Sequence, residues 1–235
     1  MKNVVFLSYG NPKEYQRATY AILSVLAWNG GKNAHVRIIC FTDNPAYFEK
    51  YLAGFNIQYD VLDQDRLNLM LGGTDYIHRR KICILQEVAK TYPSDDLLFL
   101  DSDTFFINDP SALLGQIQPD YSLMHVKEYR LEQGPGIYKE LMSKRLVNAE
   151  EFPLSFLRFI ENNEFELGAK KIRFEKAQYV WNSGVLGISN TLLPLLKDVL
   201  TFNDQILSST KWFISEQLAF GLVLQSFTTI KPAVD

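Results

Sequence analysis

Apolar positions along the chain come in two rhythms. Val4-Val5-Phe6-Leu7 is a short continuous run, the pattern of a strand buried on both faces. Gly10-Asn11-Pro12 breaks it, and from Glu14 to Trp28 the residues Ala18, Ala21, Ile22, Val25 and Leu26 recur at helical spacing. Asn29-Gly30-Gly31 supplies a helix stop. Val36 to Thr42 predicts a second strand, closed by Asp43-Asn44-Pro45. Tyr47 to Ala53 predicts a short helix and Asn56 to Leu62 a third strand. Asp75 to Tyr92 predicts a helix stopped by Pro93-Ser94-Asp95, and Leu97-Leu98-Phe99-Leu100 a fourth buried strand.

Strands alternating with helices imply an α/β chain, with a mostly parallel central sheet flanked by helices. Ligands of such sheets lie beyond the carboxyl ends of the strands, here just after Leu7, Thr42, Leu100 and Val126. The second half is less regular. Tyr121 to Val126 and Val185 to Ser189 read as strands, and Thr228-Thr229-Ile230 is strand-like. Gly134-Pro135-Gly136 reads as a loop or hinge. Ile137 to Asn163 reads as mainly helical with a break near Pro153, and Leu192 to Leu207 and Ile214 to Leu224 as helices. No repeat, low-complexity tract or linker divides the chain, so one domain over 1–235 is expected, with halves at 1–126 and 127–235.

With 235 residues, 47% hydrophobic and 22% charged, the chain can bury a core without disulfides. A net charge of −3 excludes a general basic footprint, so nucleic acid is not an expected partner. Cys40 and Cys83 are isolated, which argues against a disulfide framework and a cysteine-rich zinc site. The apolar run after Met1-Lys2-Asn3 is too short for a signal segment, and no stretch is long enough to span a bilayer. With no N-x-Ser/Thr acceptor either, a cytoplasmic protein is expected, and contact with a membrane face stays open.

The strongest chemical feature is Asp101-Ser102-Asp103, directly after the fourth strand. In extended backbone, residues i and i+2 point to one side, so two hard oxygen donors would converge at the sheet edge. That suits Mg²⁺ or Mn²⁺ completed by substrate phosphates and water. The structural alternative is an acidic turn capping the next segment. Asn182-Ser183-Gly184 lies between an aromatic segment and an apolar strand; it suits close approach to a sugar or phosphate, or simply a turn. Ser215-Glu216-Gln217 reads as a capped helix start or as the acceptor side of a pocket. His78-Arg79-Arg80-Lys81 opens a helix, where cations oppose the helix dipole; it is a solvated turn or a site facing an anion. His35 reads as a loop residue, and His125 as a core-edge histidine rather than a metal ligand. P-loop, G-x-G-x-x-G, H-E-x-x-H and G-x-S-x-G motifs are all missing.

Taken in order, these features resemble a GT-A glycosyltransferase, closest to the bacterial enzymes of glycosyltransferase family 8. The resemblance spans nearly the whole chain. It runs from Phe6-Leu7-Ser8-Tyr9 and its helix, through the basic run, the acidic pair, Asp109-Pro110 and Leu113-Leu114, to Asn182–Gly187 and Glu216-Gln217. It implies a GT-A fold and transfer of a sugar, of hexosyltransferase type, from a nucleotide-diphosphate sugar, a UDP-sugar by preference. The acceptor hydroxyl, on a glycan, lipid-linked or protein acceptor, stays open. It further implies that Ser8, Tyr9 and Ser102 contact the nucleotide, that Asp43 meets base or ribose, and that Arg80 or Lys81 meets the diphosphate or the sugar. Asp101 would touch ribose or sugar and a metal-bound water, and Asp103 would ligate Mn²⁺ (or Mg²⁺). Asn182 and Gly184 would frame the sugar, with Glu216 and Gln217 beside the anomeric carbon and the stretch from 129 to 174 covering the acceptor. The resemblance leans towards retention of configuration; Glu216 would be the base of an inverting enzyme.

Many members carry a C-terminal His-x-x-Gly-x-Lys-like segment with a further metal ligand. It has no counterpart here up to Asp235, so a shortened sequence or a differently closed site is expected. The competing readings are a non-catalytic nucleotide-sugar binder and a sugar nucleotidyltransferase. The single glycine of Ser8-Tyr9-Gly10-Asn11-Pro12 disfavours the latter.

Overall fold

The structure is a computed structural model that describes residues 1–28, 35–142, 145 and 148–234; the helix stop at Asn29-Gly30-Gly31 lies outside them. In chain order the elements are β1 (Lys2–Leu7), α1 (Pro12–Trp28), β2 (Val36–Thr42), α2 (Pro45–Leu52), β3 (Ile57–Val61), α3 (Gln64–Leu69), α4 (Arg79–Thr91), β4 (Asp96–Leu100), α5 (Ser111–Gly115) and β5 (Tyr121–Met124). There follow β6 (Lys127–Arg130), α6 (Gly134–Met142), α7 (Glu151–Asn162), β7 (Phe165–Leu167), β8 (Lys170–Ile172), β9 (Tyr179–Trp181), β10 (Val185–Ile188), α8 (Leu196–Thr210), α9 (Ser215–Gln225) and β11 (Thr229–Pro232). They form two compact units, Met1–Leu123 with Gly184–Leu193, and Met124–Ser183 with Pro194–Asp235. The first unit is thus built from two separate segments of the chain.

In the first unit the strands lie side by side in the order β5-β10-β4-β1-β2-β3. The alternation of the first half produces the expected parallel pairs: β1 with β2, β1 with β4, and β2 with β3. Val4, Val5 and Phe6 of β1 and Leu97 to Leu100 of β4 are fully buried, as continuous apolar runs between covering helices should be. At the edge, β3 departs from that rule, for its residues are half-buried or exposed. β10 runs antiparallel to β4, with Val185 opposite Leu100. The start of the sheet is held electrostatically. Lys2 pairs with Asp96, while Arg37 joins buried Asn3 to Asp95 and lies over the Tyr92 ring.

The second unit contains a β6–β9 ladder, the short β7–β8 pair, helices α6 to α9, and β11. An aromatic cluster of Phe159, Phe165, Phe174 and Phe202 packs α7 and α8 against β7. One expectation fails here and another holds. Gly134-Pro135-Gly136 is no hinge but the first turn of α6, whereas the helical stretch does break close to Pro153: α6 ends at Met142, and α7 begins at Glu151 with Pro153 in its first turn. Proline costs little in a first turn, where its missing N–H had no partner. A Cβ on Gly134 would stand 3.0 Å from Pro153 Cβ, so the glycine serves the close approach of α6 to α7. Leu192 likewise does not start an α-helix. Asn190–Leu195 is a 3₁₀ segment containing Pro194, and α8 begins after it. Cys40 and Cys83 are not joined in a disulfide. Among the described residues no helix is long and apolar enough to cross a membrane.

Candidate functional site

The acidic pair owes its form to the end of the β4–β10 ladder. The last pairing is Leu100 with Val185, followed by one bond from the Asp101 N–H to the Gly184 carbonyl at 2.8 Å. The chain then turns, and the Thr104 N–H donates to the Asp101 carbonyl at 3.0 Å. Ser102 and Asp103 occupy the middle of this turn, so the two carboxylates are not presented by an extended strand as their spacing suggests. Both nevertheless line one cavity.

That cavity has a volume of about 500 Å³ and lies beyond the carboxyl ends of β1 and β4. Ser8, Tyr9, Gly10 and Asn11 line it from the loop after β1, Glu14 and Arg17 from α1, and Ile77, His78 and Lys81 from the start of α4; Asp101, Ser102 and Asp103 complete it. Gly10 has φ +89°, a conformation glycine adopts freely. Its N–H donates to Asp43 Oδ2 at 3.0 Å, and the Tyr15 hydroxyl to Asp43 Oδ1 at 2.8 Å. Asp43 therefore braces the loop and does not line the cavity. Burial, with Asp43 adding, pushes the Tyr15 hydroxyl up to about 12.

The basic run separates into different roles. Arg79 donates to the Met70 carbonyl at 2.7 Å and buried Arg80 to the Leu67 carbonyl at 3.0 Å. These carbonyls close the C-terminal end of α3, where cations are favoured, which accounts for a basic run at a helix start. Arg80 also lies 4.9 Å from the centre of the Tyr9 ring, and it is not among the residues lining the cavity. Lys81 does line it: its Nζ is 3.2 Å from Asp101 Oδ1 and 5.0 Å from the centre of the Phe99 ring. The proton affinity of His78 is lowered by desolvation and by Lys81, against an opposing pull from Asp101.

Asp103 is exposed and has no hydrogen-bond or ion-pair partner among the described residues. Those residues contain no cluster of three His, Cys, Asp or Glu suited to a metal. Two carboxylates lining one cavity still fit a hard divalent cation whose remaining positions would be taken by water and substrate phosphates. The α1 pair Glu14 and Arg17 carries no catalytic or metal-binding motif. Glu14 Oε2 accepts from the Ser102 hydroxyl at 2.8 Å and Glu14 Oε1 from Arg17 at 2.9 Å.

The second unit holds a polar cluster of its own. The β6–β9 ladder continues through Asn182, whose N–H donates to the Val126 carbonyl at 2.9 Å and whose carbonyl accepts from the His125 N–H at 3.0 Å. The Asn182 side chain meets His125 Nδ1 at 3.2 Å and Glu128 Oε1 at 3.4 Å. Gln217 Nε2 donates to Glu128 Oε2 at 2.9 Å. Glu216, only 4% exposed, accepts from the Ser183 hydroxyl at 3.0 Å. Asn182 and Gln217 are thus brought together by Glu128, a residue with no signal beyond its place on a polar strand. Ser215 is not the helix cap. Ile214 holds that position, and the buried Ser215 hydroxyl donates to Asn203 Oδ1 at 2.9 Å.

No protein-family model matches the chain, and no curated protein sequence matches it. Solved structures do. The galactosyltransferase LgtC, in complex with donor and acceptor sugar analogs, superposes with a TM-score of 0.57 at 14% identity, over 94% of this chain and 70% of that one. An active-site mutant of LgtC gives 0.56 at 14% identity, over 93% and 70%. The bifunctional glycosyltransferase WbbM, in its apo form, gives 0.63 at 14% identity over 97% of this chain, which spans 38% of that protein. The chain has the fold of the GT-A glycosyltransferases, with a mostly parallel central sheet flanked by helices.

Proposed function

We propose that the chain is a metal-dependent glycosyltransferase that moves a sugar from a nucleotide-diphosphate sugar, a UDP-sugar, to an acceptor hydroxyl. The observation that carries this reading is the convergence of Ser8, Tyr9, Lys81, Asp101 and Asp103 on one cavity beyond β1 and β4. The fold supports it, as does the donor analog bound to LgtC in its own structure.

In this reading Tyr9, backed by the Arg80 guanidinium, offers a ring face to the base. Asp103 and Asp101 would hold the cation, which would supply charge to offset that of a departing diphosphate. Lys81, already beside Asp101, adds a fixed positive charge for the same oxygens in a partly dry site. Within the second unit Glu128 holds Asn182 and Gln217 together, and this cluster is assigned to the acceptor. Glu216 lies next to Gln217 in the chain and supplies the base if transfer inverts; in a retaining reaction the diphosphate oxygen takes the acceptor proton instead.

A second reading, a nucleotide-sugar binder without turnover, is favoured by the Lys81 charge that already sits on Asp101. The deciding experiment is calorimetric binding of UDP and GDP, with and without Mn²⁺, to the wild type and to Asp103→Ala. Metal-dependent UDP binding that the variant loses is the expected result, and donor hydrolysis then separates turnover from binding. A folded protein that binds neither nucleotide would falsify both readings.

A further inference from the structure

The inference rests on the proposed function, in which the turn at Asp101-Ser102-Asp103 meets a cation on a nucleotide diphosphate. We propose that Glu14 is a positioning residue that fixes this turn through Ser102 and so sets how Asp103 meets the cation. Asn11-Pro12-Lys13-Glu14 has the spacing of a capping box, in which the glutamate reaches back to the cap's own N–H. Asn11 performs its half: its Oδ1 accepts from the Lys13 N–H at 3.0 Å and the Glu14 N–H at 3.2 Å. Both Glu14 oxygens are directed elsewhere, Oε2 to the Ser102 hydroxyl at 2.8 Å, 88 residues along the chain, and Oε1 to Arg17 at 2.9 Å. A group placed to finish a helix cap is thus committed to the acidic turn.

The commitment matters because Asp103 has no partner of its own among the described residues. Its direction is set by the turn, which is tied by the Thr104-to-Asp101 bond inside it, by the Asp101 N–H on the Gly184 carbonyl and the Phe106 N–H on Ser24 at its two ends, and by the Ser102 hydroxyl, the side-chain tie from its middle. A hydroxyl donating to a carboxylate makes a charge-assisted bond, stronger than a neutral one. Arg17, one turn further along α1, holds the other oxygen and restrains the carboxylate.

The test is Mn²⁺ binding in the presence of UDP, read from the loss of the free-ion paramagnetic resonance signal. The proteins are the wild type, Glu14→Ala, Ser102→Ala, their double variant, Glu14→Gln and Asp103→Ala. Glu14→Ala and Ser102→Ala should each weaken Mn²⁺ about tenfold, the size of one charge-assisted hydrogen bond. The double variant should lose no more than either, since both remove the same contact. Glu14→Gln keeps an oxygen for the Ser102 hydroxyl and should recover most of the affinity. Losses that add in the double variant, or no recovery in Glu14→Gln, overturn the inference. If Glu14→Ala does not fold, Ser102→Ala and Glu14→Gln decide it by the same criteria. Mn²⁺ binding that Asp103→Ala abolishes while Glu14→Ala and Ser102→Ala match the wild type sinks the inference alone. A wild type that binds no Mn²⁺ with UDP sinks the proposed function and the inference with it.

Discussion

Lys81 Nζ stands 3.2 Å from Asp101 Oδ1, with the lysine side chain 6% exposed and the aspartate 39% exposed. The cation is therefore fixed in the wall, while the acid keeps access to water.

Lys81→Met should weaken UDP binding roughly 10- to 100-fold, the equivalent of one hydrogen bond to a charged group. Lys81→Arg should lose less. Calorimetry on the folded variants checks this, and an unchanged affinity would remove Lys81 from the diphosphate site.

His78 makes stability depend on pH in a stated direction. Its proton affinity in the folded protein lies below the ordinary value of 6.5. Above 6.5 both states are neutral at this residue and its contribution is fully present. As pH falls through that value the unfolded chain takes up the proton first, so stability declines until the folded pKa is also passed. Thermal midpoints of the wild type and His78→Gln, compared across this window, should converge towards acid pH. Parallel curves would refute the assignment.

A side chain at Gly187 has no room. A Cβ there would lie 2.8 Å from Leu123 Cδ1 and 2.9 Å from Leu123 Cβ. Gly187→Ala should cost about 1–3 kcal/mol in urea unfolding, the usual range for overpacking. A change within about 0.5 kcal/mol, as at an ordinary surface site, would mean that β10 and Leu123 shift apart easily.

Glu128 is exposed, so Glu128→Ala should change stability by no more than about 0.5 kcal/mol. UDP affinity should stay at the wild-type level, while sugar transfer falls by about ten- to a hundredfold as Asn182 and Gln217 lose their common anchor. Equal loss of nucleotide binding and transfer would argue against an acceptor-side role.

Much of the first unit can be read from the chain alone. Val4–Phe6 and Leu97–Leu100 are continuous apolar runs because helices cover both faces of their strands, and the acidic residues follow the second run directly. The posture of those acids was not legible. Their spacing presumes an extended backbone, whereas the ladder ends at Leu100 for lack of a partner beyond Gly184. Gly134-Pro135-Gly136 misleads because glycine and proline read as breakers wherever they fall, although a helix's first turn accepts a proline. β7, β8 and β9 have three residues each, too few for a period to declare itself. Glu128 has partners 54 and 89 positions away, a distance no local pattern spans.

The antiparallel placement of β10 also orders events during synthesis. A nascent chain emerges N-terminus first, so β4 is complete long before Val185 leaves the ribosome. Until then one side of β4 has unpaired N–H and C=O groups, and Asp101 lacks the carbonyl that ends its ladder. Fragments that stop before Gly184 would carry the acidic turn on an open, adhesive edge, and the site takes its final form only when the later segment returns.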